Sequence, residues 1–190
     1  MPLDGGRLRN RWWGMLQDLP TRFRADCGRC QALCCVALNL KPENGFPEPK
    51  PPGTPCKHID TRRMKCGIWK EREAHGFTGC APYDCFGAGQ LVSKVMTKRG
   101  MKWPKLDPAT ADRCYDDMRR LMRIHVMLAY LHAGEVEDPS LLANLEAIVE
   151  SYTRTGFLPP PDQVIRMLMM HNASVIAIFK AAGGGIIPQD

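Results

Sequence analysis

The sequence has no uninterrupted apolar stretch that approaches the ~20 residues needed for a membrane-spanning helix. Near the N-terminus, Arg7, Arg9 and Arg11 are basic, but the apolar segment that follows them is short. Gly14 interrupts this segment and Gln17 ends it, whereas a secretory signal needs a longer apolar run. We therefore expect a cytoplasmic protein with no membrane partner, in a compartment where disulfides do not persist.

Motifs of several enzyme and nucleic-acid-binding classes are also missing. The chain has no internal repeat, no glycine-rich nucleotide fingerprint, no radical-SAM C-x3-C-x2-C spacing and no run of five or six basic residues. Its net charge of +6 is uneven, because residues 1–103 carry a net +9 and residues 104–190 a net −3. Nucleic-acid binding through the basic half, with Trp69, Phe77 and Trp103 stacking on bases, is a minor alternative. We expect these aromatic side chains to cover a metal core instead.

The sequence is rich in cysteine, and the cysteines are clustered. Eight of the nine fall between Cys27 and Cys85. Cysteines used only for packing would be scattered, and the odd total and the adjacent pair Cys34–Cys35 fit a disulfide framework poorly. Thiolates are metal ligands, and positive charge in the same half of the chain lowers the cost of gathering them. We therefore predict a metal site whose ligands are Cys27, Cys30, Cys34, Cys35, Cys56, Cys66, Cys80 and Cys85.

The first four cysteines of the cluster form a C-x2-C-x3-C-C pattern. The two-residue spacing of Cys27 and Cys30 allows both thiolates to meet one metal across a tight turn, which Gly28 eases. Adjacent side chains diverge, so we expect one member of the Cys34–Cys35 pair to serve a second metal. The spacing leaves open whether the eight thiolates form two zinc sites, or one cubane iron–sulfur cluster with four further cysteines.

Other residues near the cluster are weaker candidates. His58 is a candidate nitrogen ligand, and Tyr83 and Asp84 are candidates for supporting or proton-transfer roles, although a packed tyrosine and a capping aspartate are the simpler interpretation. Cys85 precedes an expected helix N-terminus, which favours its thiolate. Cys114 lies alone on a helical face, where we expect a buried packing residue.

With these spacings the chain resembles the eight-cysteine zinc- or iron-chelating domain family of the YkgJ type, whose hallmark is C-x2-C-x3-C-C followed by four dispersed cysteines. Residues 33–38, 53–56, 66–68 and 76–90 resemble, more specifically, the N-terminal cysteine module of actinobacterial pentapeptide-repeat proteins, although the repeats are absent here. The resemblance covers residues 24–95 well and the helical tail loosely. It implies that the eight cysteines bind zinc or iron, and the wider family is often labelled iron–sulfur oxidoreductase.

The sequence predicts three segments. Residues 1–26 form a lead segment with a short amphipathic helix over residues 7–19, residues 27–103 form the cysteine module, and residues 104–190 form a helical subdomain. Six prolines between residues 41 and 55 predict an irregular loop. We expect a mainly α fold, in which an irregular, metal-organised cysteine module packs on a C-terminal helical bundle.

Helix starts and stops are predicted for the second half of the chain. A helix is expected after Gly87, and the Asp-Pro pairs at 107–108 and 138–139 predict the starts of two more. A last helix is expected from about residue 163 to residue 182. Its Met167, Met169 and Met170 are expected to fill the core, with a methionine-rich binding groove as the alternative.

Two functions remain open from the sequence. Eight cysteines and His58 exceed what one structural ion needs, so we expect an iron–sulfur or zinc protein with a redox or enzymatic role. The alternative is a structural zinc module whose loop and helical tail bind a protein partner. A catalytic cysteine is less favoured, because many thiols compete for that role and the remaining histidines show no pairing in the sequence.

Overall fold

The computed structural model of the chain describes residues 19–182. Six α-helices and one two-stranded hairpin form the regular structure of these residues, so the predicted mainly α fold is confirmed. The helix expected over residues 7–19 lies outside the described residues, apart from Leu19. In chain order the elements are α1 (Cys34–Ala37), β1 (Ile59–Asp60), β2 (Lys65–Cys66), α2 (Ala88–Lys98), α3 (Pro108–His132), α4 (Pro139–Thr155), α5 (Pro161–Met170) and α6 (Asn172–Ala181), with 3₁₀ turns at Thr21–Phe23, Cys27–Arg29, Pro42–Asn44, Thr78–Cys80 and Trp103–Lys105.

The described chain divides into two compact units. One is the cysteine unit, Ala25–Met122, and the other is the helical unit, formed by residues 19–24 and 123–182. The boundary predicted between residues 103 and 104 falls inside the cysteine unit, and the observed division falls within α3. The start of α3 therefore groups with the cysteines. The predicted packing of the cysteine module on the helical bundle stays a prediction.

Most of the cysteine unit before α2 is irregular, as its prolines predict. The loop over residues 41–55 contains one 3₁₀ turn, and a single antiparallel bridge joins Leu40 to Lys50. The side-chain amine of Lys50, which is 7% exposed, donates to four carbonyl oxygens at 2.6–3.2 Å, those of Val36, Leu38, Pro51 and Thr54. These carbonyl oxygens belong to irregular chain, and the Lys50 amine gives them hydrogen bonds that backbone N–H groups would supply in a regular sheet.

Three predicted helix starts are confirmed. Gly87 adopts a left-handed conformation with φ of 80° and begins α2, whose apolar side chains Val92, Val95 and Met96 are buried. At α3, the Asp107 carboxylate accepts from the backbone N–H of Thr110 at 3.0 Å. At α4, the Asp138 carboxylate accepts from the backbone N–H of Leu141 at 2.8 Å. A proline follows each aspartate, where its missing N–H costs no helical hydrogen bond.

The prediction of one continuous helix from about residue 163 to residue 182 is wrong. Helices α5 and α6 meet at His171 with a bend of 93°. The His171 ring Nδ1 lies 2.9 Å from a carboxylate oxygen of Asp138, and the same oxygen accepts from the Ser174 hydroxyl at 2.7 Å. The bend is therefore held by contacts with the start of α4, which the apolar periodicity of the segment does not encode.

Exposed apolar side chains distinguish α5 and α6. Met169 and Met170 are 70% and 76% exposed, so the expectation that they fill the core is wrong, whereas Met167 is half-buried. Apolar residues surround α5 on more than one face, and packing on one side leaves the others exposed. No single helix among the described residues is long and apolar enough to cross a membrane, but the bent pair α5 and α6 together meets that condition by length and composition.

Candidate metal centre

Every cysteine of the predicted ligand set lines one cavity in the cysteine unit. The cavity has a volume of about 320 Å³. Its cysteine lining consists of Cys27, Cys30, Cys34, Cys35, Cys56, Cys66, Cys80 and Cys85. Among the described residues that line it, Cys114 is absent, and its side chain is 2% exposed. Folding therefore brings together the cysteines that the sequence pattern groups, and leaves the ninth cysteine as a buried packing residue.

The rest of the cavity wall is mainly apolar and aromatic. Trp69, Phe77 and His58 line it. The His58 ring packs edge-on against the Phe77 ring, with 5.1 Å between the two ring centres. Trp103 is buried elsewhere in the cysteine unit, where its indole N–H donates to the Gln31 carbonyl oxygen at 3.0 Å. Two of the three aromatic residues expected to cover the site therefore lie on it.

The turn that carries the first two cysteines is fixed by hydrogen bonds. The Asp26 carboxylate accepts from the backbone N–H of Arg29 at 3.3 Å and from its Nε at 2.6 Å. Lys65 on β2 donates from Nζ to three carbonyl oxygens of the turn at 2.7–2.8 Å, those of Cys27, Gly28 and Cys30. The tight turn expected from the C-x2-C spacing is present, and a cation lies against it.

The Cys30 sulfur accepts several hydrogen bonds. The Ser93 hydroxyl of α2 lies 3.5 Å from it, and the backbone N–H groups of Ala32 and Leu33 also donate to it. The Ser93 oxygen in turn accepts from the backbone N–H of Gln31 at 2.8 Å. This sulfur is therefore held in a polar setting of the kind that surrounds metal-bound thiolates.

The adjacent pair Cys34–Cys35 begins helix α1. The Cys35 thiol is in hydrogen-bonding contact with the sulfurs of Cys34 and Cys66, and its single proton serves one of them at a time. The backbone carbonyl of Cys35 accepts from the N–H of Cys56 at 2.8 Å, which ties the pair to the end of the proline-rich loop. Both adjacent side chains therefore line the cavity, and that of Cys35 is hydrogen-bonded to Cys66 on the hairpin.

The β1–β2 hairpin and the segment after it carry the next part of the site. Cys66 pairs with Ile59 across the hairpin, and the Cys66 sulfur accepts from the backbone N–H of Ile68. Arg72 also lines the cavity, and its guanidinium lies 4.3 Å from the centre of the Trp69 ring. The Nε of Arg72 is buried and has no hydrogen-bond partner among the described residues. A cation with spare hydrogen-bonding capacity therefore faces the sulfurs.

Gly89 makes room for two sulfurs at the start of α2. A Cβ atom at this position would lie 3.1 Å from the Cys30 sulfur and 3.5 Å from the Cys85 sulfur. Burial raises the pKa of Cys85 and outweighs the hydrogen bond that the backbone N–H of Gly89 donates to its sulfur, so the expectation that the helix N-terminus favours this thiolate is wrong. A side chain here would enter the space between the cysteines, so glycine fits the site.

Backbone strain is concentrated beside the cysteines. Within residues 19–182, three non-glycine residues have positive φ: Ala32 at 54°, Met64 at 52° and Phe86 at 49°. Each lies within two residues of a cavity cysteine. Such conformations cost about 1–3 kcal/mol each and cluster at functional sites, where the surrounding structure imposes them. The backbone is therefore shaped to aim the thiols.

The thiols differ widely in acidity. Burial raises the pKa of Cys27 and of Cys80 to about 11, and it raises that of Cys85 as well. In contrast, the hydrogen bond from the Cys35 thiol lowers the pKa of Cys66 to about 6. Thiols with a raised pKa keep their protons at neutral pH, and metal binding must displace them.

The residues present fit a thiolate-bound metal group by their chemistry. The donors are all sulfur, backbone N–H groups point at several of them, and Gly89 keeps the space between two of them open. As they stand, no three His, Cys, Asp or Glu side chains of residues 19–182 are close enough together to hold a metal ion. Ligation would therefore require the sulfurs to move inward across the cavity.

The supporting candidates Tyr83 and Asp84 are engaged in local contacts. The Tyr83 hydroxyl donates to the Met122 sulfur at 3.1 Å, and burial raises its pKa well above the usual value. The Asp84 carboxylate accepts from the backbone N–H of Phe86 at 2.6 Å, and burial raises its pKa. The Tyr83 contact matches the simpler interpretation of a packed tyrosine, whereas Asp84 bonds within the turn before α2 and does not cap that helix, whose N-cap residue is Gly87.

Sequence reasoning missed four residues that shape the site, namely Lys50, Lys65, Arg72 and Gly89. The partners of Lys65 lie 35–38 residues away, and those of Lys50 and Arg72 depend on how irregular chain folds, so no local pattern marks these cations. Gly89 carries a weak signal at most, because it is the second residue of α2 and glycine is common near helix starts.

Comparison with known proteins finds one similar curated protein. The chain is 42% identical over 133 residues to a Bacillus subtilis (strain 168) protein named "Uncharacterized protein YybG". The aligned region covers 70% of this chain and 44% of that protein, so the chain spans less than half the length of the relative it matches. No family model and no solved structure match the chain. Membership of the YkgJ-type family stays a prediction.

Proposed function

We propose that this chain is a metal-binding protein whose eight cavity cysteines bind an iron–sulfur cluster or zinc, in a redox or enzymatic role. One observation carries the proposal: the eight clustered cysteines line a single cavity, and the lining contributed by the described residues does not include Cys114. An all-sulfur donor set suits zinc and iron–sulfur clusters and does not suit hard ions such as magnesium or calcium.

The charges around the cavity support thiolate ligation. Gathering several thiolates is unfavourable unless cations and hydrogen-bond donors offset their charge. The amines of Lys65 and Lys50 donate hydrogen bonds to backbone carbonyls of the segment that carries the first cysteines. The positive charge of Arg72 favours the thiolate forms of Cys66 and Cys80 electrostatically. Three basic side chains of the positively charged half of the chain therefore lie at or beside the site.

The size of the cavity supports a group larger than a single ion. Four sulfurs bound to one zinc at ~2.3 Å lie roughly 3.8 Å from one another and leave no space between them. A cavity of about 320 Å³ lined by eight cysteines has space for more than one metal ion. When bound, an iron–sulfur cluster would supply one-electron transfer, and zinc would supply a fixed cross-link.

Metal analysis and a visible spectrum test the proposal. Protein purified without oxygen is expected to contain tightly bound iron or zinc. An iron–sulfur cluster gives a brown solution whose broad absorption is bleached by a reductant, whereas zinc is colourless and redox-silent. Less than about a tenth of an equivalent of either metal after gentle purification would contradict the proposal, because thiolate sites bind these metals tightly.

A structural zinc module that binds a protein partner is the second candidate. The exposed apolar side chains of the helical unit favour it, namely Phe157, Ile165, Met169, Met170, Ile176 and Phe179. An exposed apolar patch is a common feature of protein-binding surfaces. Colourless protein that contains about two zinc ions would favour this candidate, because zinc with four thiolates has no open position for a substrate.

Nucleic-acid binding receives less support. Phe77 and Trp103 are only 4% and 6% exposed, so neither ring is free to stack on a base, and Arg72 already stacks on Trp69. A cytoplasmic location stays part of the proposal, because all nine cysteines are free thiols and such thiols persist in a reducing compartment.

A further inference from the structure

We infer that the cavity contains two ligand sets of four cysteines each. The first set is Cys27, Cys30, Cys34 and Cys85, and the second set is Cys35, Cys56, Cys66 and Cys80. The inference rests on the proposed function and divides the ligands that the proposed function leaves undivided.

The first set assembles around the start of α2. The sulfurs of Cys30 and Cys85 both lie next to Gly89, at 3.1 and 3.5 Å from the position of a Cβ atom there. Cys27 lies in the same turn as Cys30, and the thiols that act electrostatically on both Cys27 and Cys85 are those of Cys34 and Cys30. Three thiols of one loop therefore lie on the same side of the cavity as a fourth, Cys85, which precedes the N-terminus of α2.

The second set assembles around the hairpin. The Cys35 thiol is hydrogen-bonded to the Cys66 sulfur as well as to the sulfur of its neighbour Cys34, and the Cys35 carbonyl accepts from the Cys56 N–H at 2.8 Å. The charges of Cys66 and Cys56 act on Cys80, together with that of Cys34. Cys34 thus borders both sets. Cys35 is bonded to Cys66 and to the backbone of Cys56, whereas Cys34 interacts electrostatically with both Cys27 and Cys85, so we assign Cys35 to the second set and Cys34 to the first.

Each set also has its own cation. Lys65 donates to the carbonyl oxygens of Cys27 and Cys30, beside the first set. Arg72 acts on Cys66 and Cys80 in the second set. A four-thiolate zinc site or a cubane cluster carries about two negative charges, and a cation beside each set offsets part of that charge.

Cadmium correlation spectroscopy on the unaltered full-length chain tests the division. The chain is loaded with ¹¹³Cd²⁺, a soft ion that binds thiolates, and the cysteine β-protons are correlated with each cadmium nucleus. Two cadmium resonances are expected, one correlated with the first set and the other with the second. Cys80 and Cys85 are the decisive pair, because they lie five residues apart in one segment and belong to different sets. Correlation of both with one cadmium would overturn the inference.

Substitutions supply a second measurement. Cys80→Ser and Cys85→Ser are each expected to lose about half of the bound metal and the double variant nearly all of it, while Cys114→Ser keeps it. Circular dichroism checks that each variant folds, and the cadmium experiment needs no variant. Loss of all metal from each folded single variant would overturn the division while leaving the proposed function intact. An unaltered chain that binds no metal would overturn both.

Discussion

The side-chain amine of Lys65 donates a 2.7 Å hydrogen bond to the carbonyl oxygen of Cys30. The same amine donates to the carbonyls of Cys27 and Gly28 at 2.8 Å. Because Lys65 immediately precedes Cys66 on β2, it connects the first cysteine turn to the hairpin that carries a later cysteine. One lysine therefore fixes the distance between two parts of the candidate site.

Replacing Lys65 with methionine is expected to loosen this connection. Hydrogen bonds to charged groups contribute about 1.5–3 kcal/mol in buried settings, and partial exposure reduces that value, so we expect a loss of about 1–2 kcal/mol in the free energy of unfolding. Metal should also be lost faster to a chelator, since the turn is no longer held. Urea denaturation and the rate of metal loss measure the two effects.

Lys57→Met is the matched control for this prediction. The Lys57 amine pairs with Glu48 at 2.8 Å, and both side chains are 54% exposed. Exposed ion pairs contribute about 0–1 kcal/mol, so little change in stability or metal retention is expected. Equal effects of the two substitutions would show that Lys65 has no special role.

Gly89→Ala is expected to separate helix stability from metal binding. Gly89 is the second residue of α2 and its φ is not positive, so an alanine there is compatible with the helix and α2 itself should not be weakened. The new Cβ would lie 3.1 Å from the Cys30 sulfur, so this sulfur must shift and metal content should fall. Elemental analysis and thermal unfolding measure the two effects. Lys94→Ala, an exposed change in the same helix, should leave metal content unaltered, and full metal retention by Gly89→Ala would refute the crowding argument.

Asp138 should make the stability of the helical unit dependent on pH. The backbone N–H of Leu141, the Ser174 hydroxyl and His171 hold the pKa of the Asp138 carboxyl below its usual range. A carboxyl of this kind stabilises the fold above its unfolded pKa of about 3.9, and this contribution is lost as the pH falls through the lower folded pKa. Asp138→Ala is expected to cost about 1–2 kcal/mol at neutral pH, as for loss of a helix cap, and progressively less below about pH 4.

Asp107→Ala is the control for Asp138→Ala, because both aspartates cap a helix ahead of a proline. Asp107 bonds within its own turn, whereas Asp138 also holds His171 and Ser174. The Asp138 substitution should therefore be the more costly, and it alone should alter the bend between α5 and α6. Urea denaturation at several pH values measures both variants, and a cost for Asp138→Ala that is independent of pH would contradict the argument.

The sequence predicts those features that depend on neighbouring residues. The Asp-Pro starts of α3 and α4 are local, because the capping oxygen and its N–H partner lie three residues apart. The grouping of the eight cysteines from Cys27 to Cys85 could also be predicted from the sequence, because ligand cysteines recur at short spacings that packing does not require.

Features that depend on contacts between residues far apart in the sequence could not be predicted in this way. The break at His171 depends on Asp138, which lies 33 residues earlier. The anchoring of the Cys27 turn depends on Lys65, 38 residues away from that cysteine. Exposure of Met169 and Met170 likewise follows from which face of α5 packs, and its apolar composition does not specify that face.

Metal content of Cys30→Ser compared with Cys114→Ser tests the central claim most directly. Both substitutions replace one sulfur by oxygen, but Cys30 lines the cavity, whereas Cys114 is buried and is not among the described residues that line it. We expect Cys114→Ser to keep the full metal content and Cys30→Ser to lose metal and be severely destabilised, because bound zinc can contribute ~10 kcal/mol to folding. Metal loss from Cys114→Ser with full retention by Cys30→Ser would contradict it.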